Sequence, residues 1–240
     1  MERLDKRQPA ELRAITINRG YIKYPEGSVL IEVGDTKVLC NASIIDRTPP
    51  WLVGKGIGWL TAQYSMLPRA THSRNERERN IGHAHGRTME ISRLIGRSLR
   101  AAIDLSKMGE RSIYIDCDVL QADGGTRTAS ITGSFIALYD AVSYLRKNEM
   151  IFENPIKEFV AAVSVGISNG QILLDLNYEE DSNVDVDFNC VMTESGKIVE
   201  IQATAENATF TQEQLNDVLE ISTKGIKSLI RKQKEALGLD

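Results

Sequence analysis

Hydrophobic and polar residues alternate in two separate parts of the chain, and each part predicts a β-sheet. A period of two puts successive side chains on opposite faces of a strand, as in a sheet with one buried face. The clearest case runs from Ser112 to Leu120, where apolar residues alternate with Asp116 and Asp118. The predicted strands are residues 13–18, 28–33, 36–44, 58–67 and 112–120 in the first part, and 159–168, 171–176, 184–193 and 197–204 in the second.

Three other stretches have apolar residues at intervals of three and four, which predicts amphipathic helices over residues 88–103, over 128–145 and from about residue 211 onward. Thr211 and Gln214 have the spacing of a capping box at the start of the last helix. Asn169 and Gly170, between two apolar runs, predict a tight hairpin turn. Because no long linker or repeat separates these elements, the sequence predicts one α+β domain over residues 1–240.

The segment from Gln121 to Ser130, between a predicted strand and a predicted helix, has the features of an anion-binding loop. A helix start offers backbone N–H groups without intrahelical partners and the positive end of the helix dipole. Gly124 and Gly125 allow close approach of the backbone, and Thr126 and Arg127 add a hydroxyl and a guanidinium suited to phosphate. The alternative is a polar turn with an arginine in solvent.

Positive charge is concentrated in residues 69–100, which hold eight arginines, no lysine and three glutamates, a local charge of +5. Arg87 lies at the start of a predicted helix, where an anion is favoured, and is a candidate partner of Arg127. Arg93, Arg97 and Arg100 lie together on the side of that helix opposite its apolar stripe. For these three a solvated face or a subunit contact is the simpler interpretation.

An acidic segment precedes and enters the strand predicted over residues 184–193, with Asp181 before it and Asp185 and Asp187 on one of its faces. Neighbouring carboxylates repel each other, so Mg²⁺ or an arginine is expected to compensate their charge. The alternative is the solvated face of an edge strand.

Composition narrows the classes of function. The formal net charge of −4 gives no global sign of nucleic-acid binding, so any basic site is local. Three widely spaced cysteines, a charged N-terminus and the lack of a long apolar run favour a soluble cytoplasmic protein without a membrane partner. No metal role is expected for the pair His83 and His85, and the Walker, Rossmann, HExxH and GxSxG motifs do not occur.

Taken together, an arginine-rich loop (Arg69, Arg74 and Arg77), two helix starts with arginines and an acidic face are typical of phosphoryl transfer on a polyanion. Arginines would hold a phosphate, and a carboxylate or its metal would stabilise the leaving oxygen. The residue types alone do not decide between phosphate and water as the nucleophile.

Several runs of sequence, spread over nearly the whole chain, resemble the bacterial ribonuclease PH family, a relative of polynucleotide phosphorylase and of exosome ring subunits. The runs are Arg3 to Arg7, Met66 to Thr71, Gly86 to Thr88, Arg93 to Arg100, Asp116 to Thr128 and Glu179 to Asp187. The resemblance implies a ribosomal protein S5 domain 2-like α+β fold. It also implies a phosphorolytic 3′ to 5′ exoribonuclease that trims tRNA precursors and releases nucleoside diphosphates. Ribosomal RNA is implied as a further substrate.

The resemblance also assigns roles to residues. It implies that Arg87, Gly125, Thr126 and Arg127 bind inorganic phosphate, and that Arg69, Arg74 and Arg77 bind the tRNA 3′ end. Asp181 and Asp187 match carboxylates that family members use to bind Mg²⁺ or to act as a general acid. The resemblance also implies that Arg127 is a catalytic residue and that Asp185 is a further metal ligand. The family implies a homo-oligomer, a hexameric ring built as a trimer of dimers, and no DNA partner.

Two departures from the family pattern concern loop detail, namely Gln63 in place of an acidic residue and the run from Ile81 to His85. Two other functions remain open at this stage. One is a Mg²⁺-dependent hydrolytic nuclease, which would release monophosphates. The other is a non-catalytic RNA-binding ring subunit, although such a subunit has no need of both the arginines and the carboxylates.

Overall fold

The computed structural model describes residue 3 and residues 5–77, 86–205 and 208–239. Within these residues the chain forms nine strands and four α-helices. The strands are β1 (Ile15–Arg19), β2 (Gly27–Val33), β3 (Thr36–Ile45), β4 (Trp59–Met66), β5 (Ser112–Gln121), β6 (Val160–Ser168), β7 (Gln171–Leu174), β8 (Val186–Thr193) and β9 (Ile198–Ala205). The helices are α1 (Gly86–Ala102), α2 (Thr126–Lys147), α3 (Tyr178–Asp181) and α4 (Gln212–Leu237).

The first sheet has the strand order β1-β2-β3-β5-β4, and all its pairings are antiparallel except that of β4 with β5. Helix α1 connects these two parallel strands and packs on β4. The alternation along β5 has its expected result: Ile113 and Ile115 are fully buried, whereas Asp116 and Asp118 lie half-buried on the other face. Strand β5 thus has one face in the core, and it ends at Gln121, where the loop to α2 begins.

The second sheet has the order β7-β6-β8-β9 and is antiparallel throughout. Helix α2 packs against β2 and β3 of the first sheet and against β6 of the second. Its burial on nearly all sides explains why apolar and small residues occur around its whole circumference. A Cβ at Gly133 would lie 2.7 Å from Ile31 Cγ2, so glycine is needed where this helix meets the first sheet.

Two short local patterns form the structures that they predict. Asn169 and Gly170 both have positive φ, 49° and 76°, as a type I′ turn between β6 and β7 requires. Thr211 and Gln214 form both hydrogen bonds of the capping box that begins α4. These two predictions are confirmed.

The edge-strand interpretation of the acidic face is wrong. Strand β8 lies between β6 and β9, so both of its edges are paired. It begins at Val186, two residues later than predicted, and Asp185 lies before it. The acidic segment also contains α3, which the sequence did not predict.

The arginines of α1 make contacts within the chain. Arg97 binds both carboxylate oxygens of Glu200, at 2.9 and 2.6 Å, and Arg100 donates to Leu60 O and lies 5.1 Å from the Trp59 ring centroid. These contacts favour a structural role for both. None of the helices in the described part of the chain is long and apolar enough to cross a membrane.

Candidate active site

A single cavity of about 880 Å³ brings together residues from the two sheets. It lies where the β5–α2 loop and the start of α1 face α3 and the strands β8 and β9. The lining residues are Met66, Thr71, His72, Ser73, Arg87, Glu90, Ala122, Gly124, Gly125, Thr126, Arg127, Ser164, Tyr178, Asp181, Val184, Asp187, Asn189, Gln202, Ala203 and Thr204. The candidate phosphate residues and two of the candidate carboxylates thus share one cavity.

The β5–α2 loop has the geometry of an anion site. Gly124 and Gly125 have φ of 74° and 63°, in the left-handed region that favours glycine. A Cβ at Gly124 would lie 2.6 Å from Leu176 O, and one at Gly125 would lie 2.9 Å from Arg13 Nη2. Gly125 is the N-cap of α2 and brings no capping side chain, so the first N–H groups of the helix are available to a ligand.

Tyr64 supports this loop from β4. Its hydroxyl lies 2.8 Å from Thr126 Oγ1, and the side chain is almost fully buried. Burial raises the pKa of Tyr64 above that of an ordinary phenol, so the hydroxyl stays protonated at neutral pH. Tyr64 therefore fixes the orientation of the Thr126 hydroxyl at the first position of α2.

Arg127 is held by polar groups from α1 and β9. Its Nη1 lies 2.8 Å from Gln202 Oε1 and 3.4 Å from Glu90 Oε1, while Gln202 Nε2 donates to Glu90 Oε1 at 2.7 Å. Arg87 lines the same cavity one helical turn before Glu90. An anion bound between Arg87 and Arg127 would therefore lie close to the Glu90 carboxylate.

This arrangement predicts that Glu90→Gln strengthens phosphate binding. The change removes a negative charge beside Arg127 but keeps a side-chain oxygen for Gln202. A partly exposed ion pair is worth about 0.2–1 kcal/mol, so KM for phosphate should fall by a factor between about 1.4 and 5. Steady-state kinetics at varied phosphate concentration check this prediction. The control is Glu213→Gln, which makes the same change at an exposed residue of α4. An unchanged or raised KM in Glu90→Gln alone would show that Glu90 does not compete with the anion.

The carboxylates of the cavity are Asp181, the last residue of α3, and Asp187 on β8. Asn189 Nδ2 donates to Asp187 Oδ2 at 3.1 Å. Asp185 does not line the cavity, because its carboxylate accepts a hydrogen bond from the Asn169 N–H at 2.8 Å in the β6–β7 turn. Among the described residues, no group of three or more His, Cys, Asp or Glu side chains could hold a metal ion. The three-carboxylate metal site is therefore not formed.

The loop after β4 forms another wall. Thr71, His72 and Ser73 line the cavity, and backbone hydrogen bonds from Leu67 to Val119 and from Ala122 to Ala70 fix the loop against β5. Arg69, Arg74 and Arg77 lie in the same loop, exposed to solvent and outside the cavity lining. His83 and His85 lie outside the described residues.

Several lining residues had little signal in the sequence. Glu90 follows Arg87 by three positions and so lies on the same side of α1, which a helical projection can show. His72 and Tyr178, with ring centroids 5.5 Å apart, and Gln202 come from separate elements and had no local signal.

The sequence as a whole has close relatives. Models of the 3′ exoribonuclease family match residues 11–143 as domain 1 and residues 158–225 as domain 2. The chain is 61% identical to ribonuclease PH of Bacillus pumilus (strain SAFR-032) over 237 residues, 98% of each chain. It is also 61% identical to ribonuclease PH of Bacillus subtilis (strain 168), over 98% of this chain and 97% of that one. The chain belongs to the ribonuclease PH family.

The fold agrees with this membership. A solved structure, the Archaeoglobus fulgidus exosome with RNA bound to the active site, superposes with a TM-score of 0.82 at 21% identity, covering 96% of this chain and 92% of that chain. At this identity the likeness shows a shared fold. The resemblance and the α+β fold class inferred from the sequence are confirmed, whereas the single domain over residues 1–240 stays a prediction.

Proposed function

We propose that the cavity is the active site of a phosphate-dependent 3′ to 5′ exoribonuclease that trims the 3′ ends of tRNA precursors. Family membership supports the reaction, with RNA as substrate and inorganic phosphate as co-substrate. The observation that carries the proposal is that Arg87 and Arg127, at two helix starts, share one cavity with Asp181 and Asp187. Anion-binding groups and carboxylates in one cavity suit a phosphoryl transfer between two anionic partners.

In this site the phosphate is a reactant. Arg87, Arg127, the N–H groups at Gly125 and Thr126 and the Thr126 hydroxyl would hold it beside the last phosphodiester of the RNA. One of its oxygens forms a bond to that phosphorus while the bond to the 3′ oxygen of the preceding nucleotide breaks. The leaving oxygen takes a proton, the terminal nucleotide departs as a nucleoside diphosphate, and the reverse reaction adds a nucleotide.

Asp181 and Asp187 are the residues that would hold Mg²⁺. Two carboxylates fit this ion, which in proteins commonly binds one or two carboxylates and completes its shell with water and substrate phosphates. Bound there, Mg²⁺ would offset the negative charge that develops at the leaving oxygen. Calorimetric titration of Mg²⁺ into the wild type and Asp187→Asn tests this, since equal affinity in both proteins would exclude Asp187 as a ligand.

We assign Arg69, Arg74 and Arg77 to the grip on RNA outside the cavity. This assignment is supported by their exposure in the loop whose residues Thr71, His72 and Ser73 line the cavity. Arginine contacts of this kind neutralise backbone phosphates and do not depend on the base sequence of the RNA. They therefore suit the 3′ end of a tRNA and also suit rRNA as a further substrate.

The proposed assembly is a hexameric ring made of three dimers. Exposed apolar side chains at Trp51, Val53 and Phe152 offer surface for subunit contacts, and a ring would combine several basic patches on one RNA. Light scattering should give the mass of six chains, and a monomer would refute the ring. The free, buried thiols of Cys40, Cys117 and Cys190 support a cytoplasmic site of action.

The test of the function is a length assay. A tRNA with a 3′ extension should be shortened when both phosphate and Mg²⁺ are present and should stay intact when phosphate alone is omitted. Shortening at an equal rate without phosphate would instead support a hydrolytic nuclease. No shortening under any condition would support a non-catalytic RNA-binding subunit.

A further inference from the structure

The N-terminal segment of the chain is bound to both walls of the active site through three arginines. We propose that Arg3 and Arg13 are positioning residues that set the phosphate loop at a fixed distance from Asp181. The proposal rests on the phosphorolytic function given above. Arg3, Arg7 and Arg13 are together called the arginine clamp.

Arg3 holds the segment that carries Asp181. Its guanidinium makes two hydrogen bonds of 2.7 Å to the carboxylate of Glu180, the residue before Asp181. Its other N–H groups donate at 2.9 Å to the carbonyls of Leu174 and Asp175. The Arg3 side chain is 1% exposed and that of Glu180 is 9% exposed, so water competes little for these bonds.

Glu180 is also part of the structure of α3 itself. Its carboxylate accepts the Asn177 N–H at 3.1 Å, and its own N–H donates to Asn177 Oδ1 at 2.9 Å. A four-residue helix has little stability of its own, because nucleation is costly and few hydrogen bonds repay it. The position of Asp181 therefore depends on how Glu180 is held, and Arg3 holds it.

Arg13 connects the same segment to the phosphate loop. It binds both carboxylate oxygens of Asp175, at 3.1 and 2.7 Å, in a pair whose side chains are each 5% exposed. The same guanidinium donates to Asp123 O at 2.5 Å and to Gly124 O at 3.5 Å. Arg7 adds a bond of 3.0 Å to Asp175 O.

The two walls also touch each other directly. The Tyr178 N–H donates to Asp123 Oδ1 at 3.3 Å. Gly124 lies against the backbone of Leu176 and Asn177, closely enough to exclude a Cβ. The arginine clamp thus fixes a contact between the loop that binds phosphate and the helix that ends at Asp181. A displacement of about 1 Å between reacting groups can cost about 100-fold in rate.

The test compares three Arg→Lys variants, each of which keeps the charge but loses the bidentate fork. Arg3→Lys should lower kcat about tenfold, with KM for RNA changed less than about twofold. Arg13→Lys should also weaken the binding of inorganic phosphate about fivefold in direct calorimetric titration, because it holds the phosphate loop. The control is Arg19→Lys, since Arg19 also forms a bidentate pair, with Asp140, in a more exposed position away from the cavity. It should change neither quantity.

The rate is measured as the total amount of 3′ nucleotide released, and both diphosphates and monophosphates are counted. The effect of the arginine clamp on the rate is therefore measured whether phosphate or water is the nucleophile. Assays run below the melting midpoint of every variant. If lysine at position 3 prevents folding, Arg3→Gln with Glu180→Gln removes both charges of the pair, and the same loss of kcat is expected. Wild-type kcat and wild-type phosphate affinity in folded variants with lowered melting midpoints would overturn the proposal and leave the clamp a purely structural feature.

Discussion

Arg127→Ala should abolish the response of nucleotide release to inorganic phosphate while RNA binding survives. Arg127 is the second residue of α2, so an anion at the helix start could bind both its planar, charged guanidinium and the backbone N–H groups. Loss of one preorganised donor to the reacting anion typically costs about 10²–10³ in rate, so kcat/KM for phosphate should fall by at least that factor. The arginines proposed to bind RNA are other residues, so the dissociation constant for RNA should change less than about threefold.

The control for this variant is Arg146→Ala, which removes the same charge from the last turn of the same helix, outside the cavity lining. Kinetics at varied phosphate and RNA binding by fluorescence anisotropy are measured on both proteins. Wild-type dependence on phosphate in Arg127→Ala would count against the assignment, as would an equal effect of the two substitutions.

Asp187→Asn should lower kcat by about 10²–10⁴, the range typical of a group that transfers a proton or organises charge at the reacting atoms. Asparagine has the size of aspartate and still offers an oxygen to Asn189 Nδ2, so the strand β8 should be unchanged. The loss should therefore appear in kcat, with KM for RNA within about threefold and the melting midpoint close to wild type.

Asp185→Asn is the comparison for Asp187→Asn. The Asp185 carboxylate accepts a hydrogen bond from the Asn169 N–H and lies outside the cavity lining. We therefore expect kcat of Asp185→Asn to fall by less than about threefold. Single-turnover rates with saturating RNA and phosphate separate the two cases. An Asp187→Asn rate equal to wild type would exclude Asp187 from the catalytic groups.

Features that depend on a few neighbouring residues could be predicted from the sequence. The Asn169-Gly170 turn needs only two residues that tolerate positive φ, and the capping box of α4 needs only Thr211 and Gln214. The glycine turn and helix start between β5 and α2 belong to the same class, because Gly124, Gly125 and Arg127 lie within four residues of one another. Such signals are short-range and do not depend on how the sheets pair.

Features that depend on distant parts of the chain could not be predicted in the same way. Alternation predicted that Asp185 and Asp187 share a face of one strand, whereas the strand begins at Val186. Alternation also could not show that β8 is an inner strand, because strand order is set by pairing partners far away in sequence. Helix α3 is too short for periodicity and is held from 177 positions away by Arg3. At the sequence level nothing indicated the partners of Arg3, Arg7 and Arg13, whereas in the fold their side chains form ion pairs with Asp175 and Glu180.

Phosphate bound between Arg87 and Arg127 is expected to be the attacking group. The direct test is to supply radiolabelled inorganic phosphate with an unlabelled 3′-extended tRNA and to separate the released nucleotides by chromatography. Every released nucleotide should be a diphosphate that carries the label in its terminal phosphate. Unlabelled nucleoside monophosphates as the product would contradict this expectation.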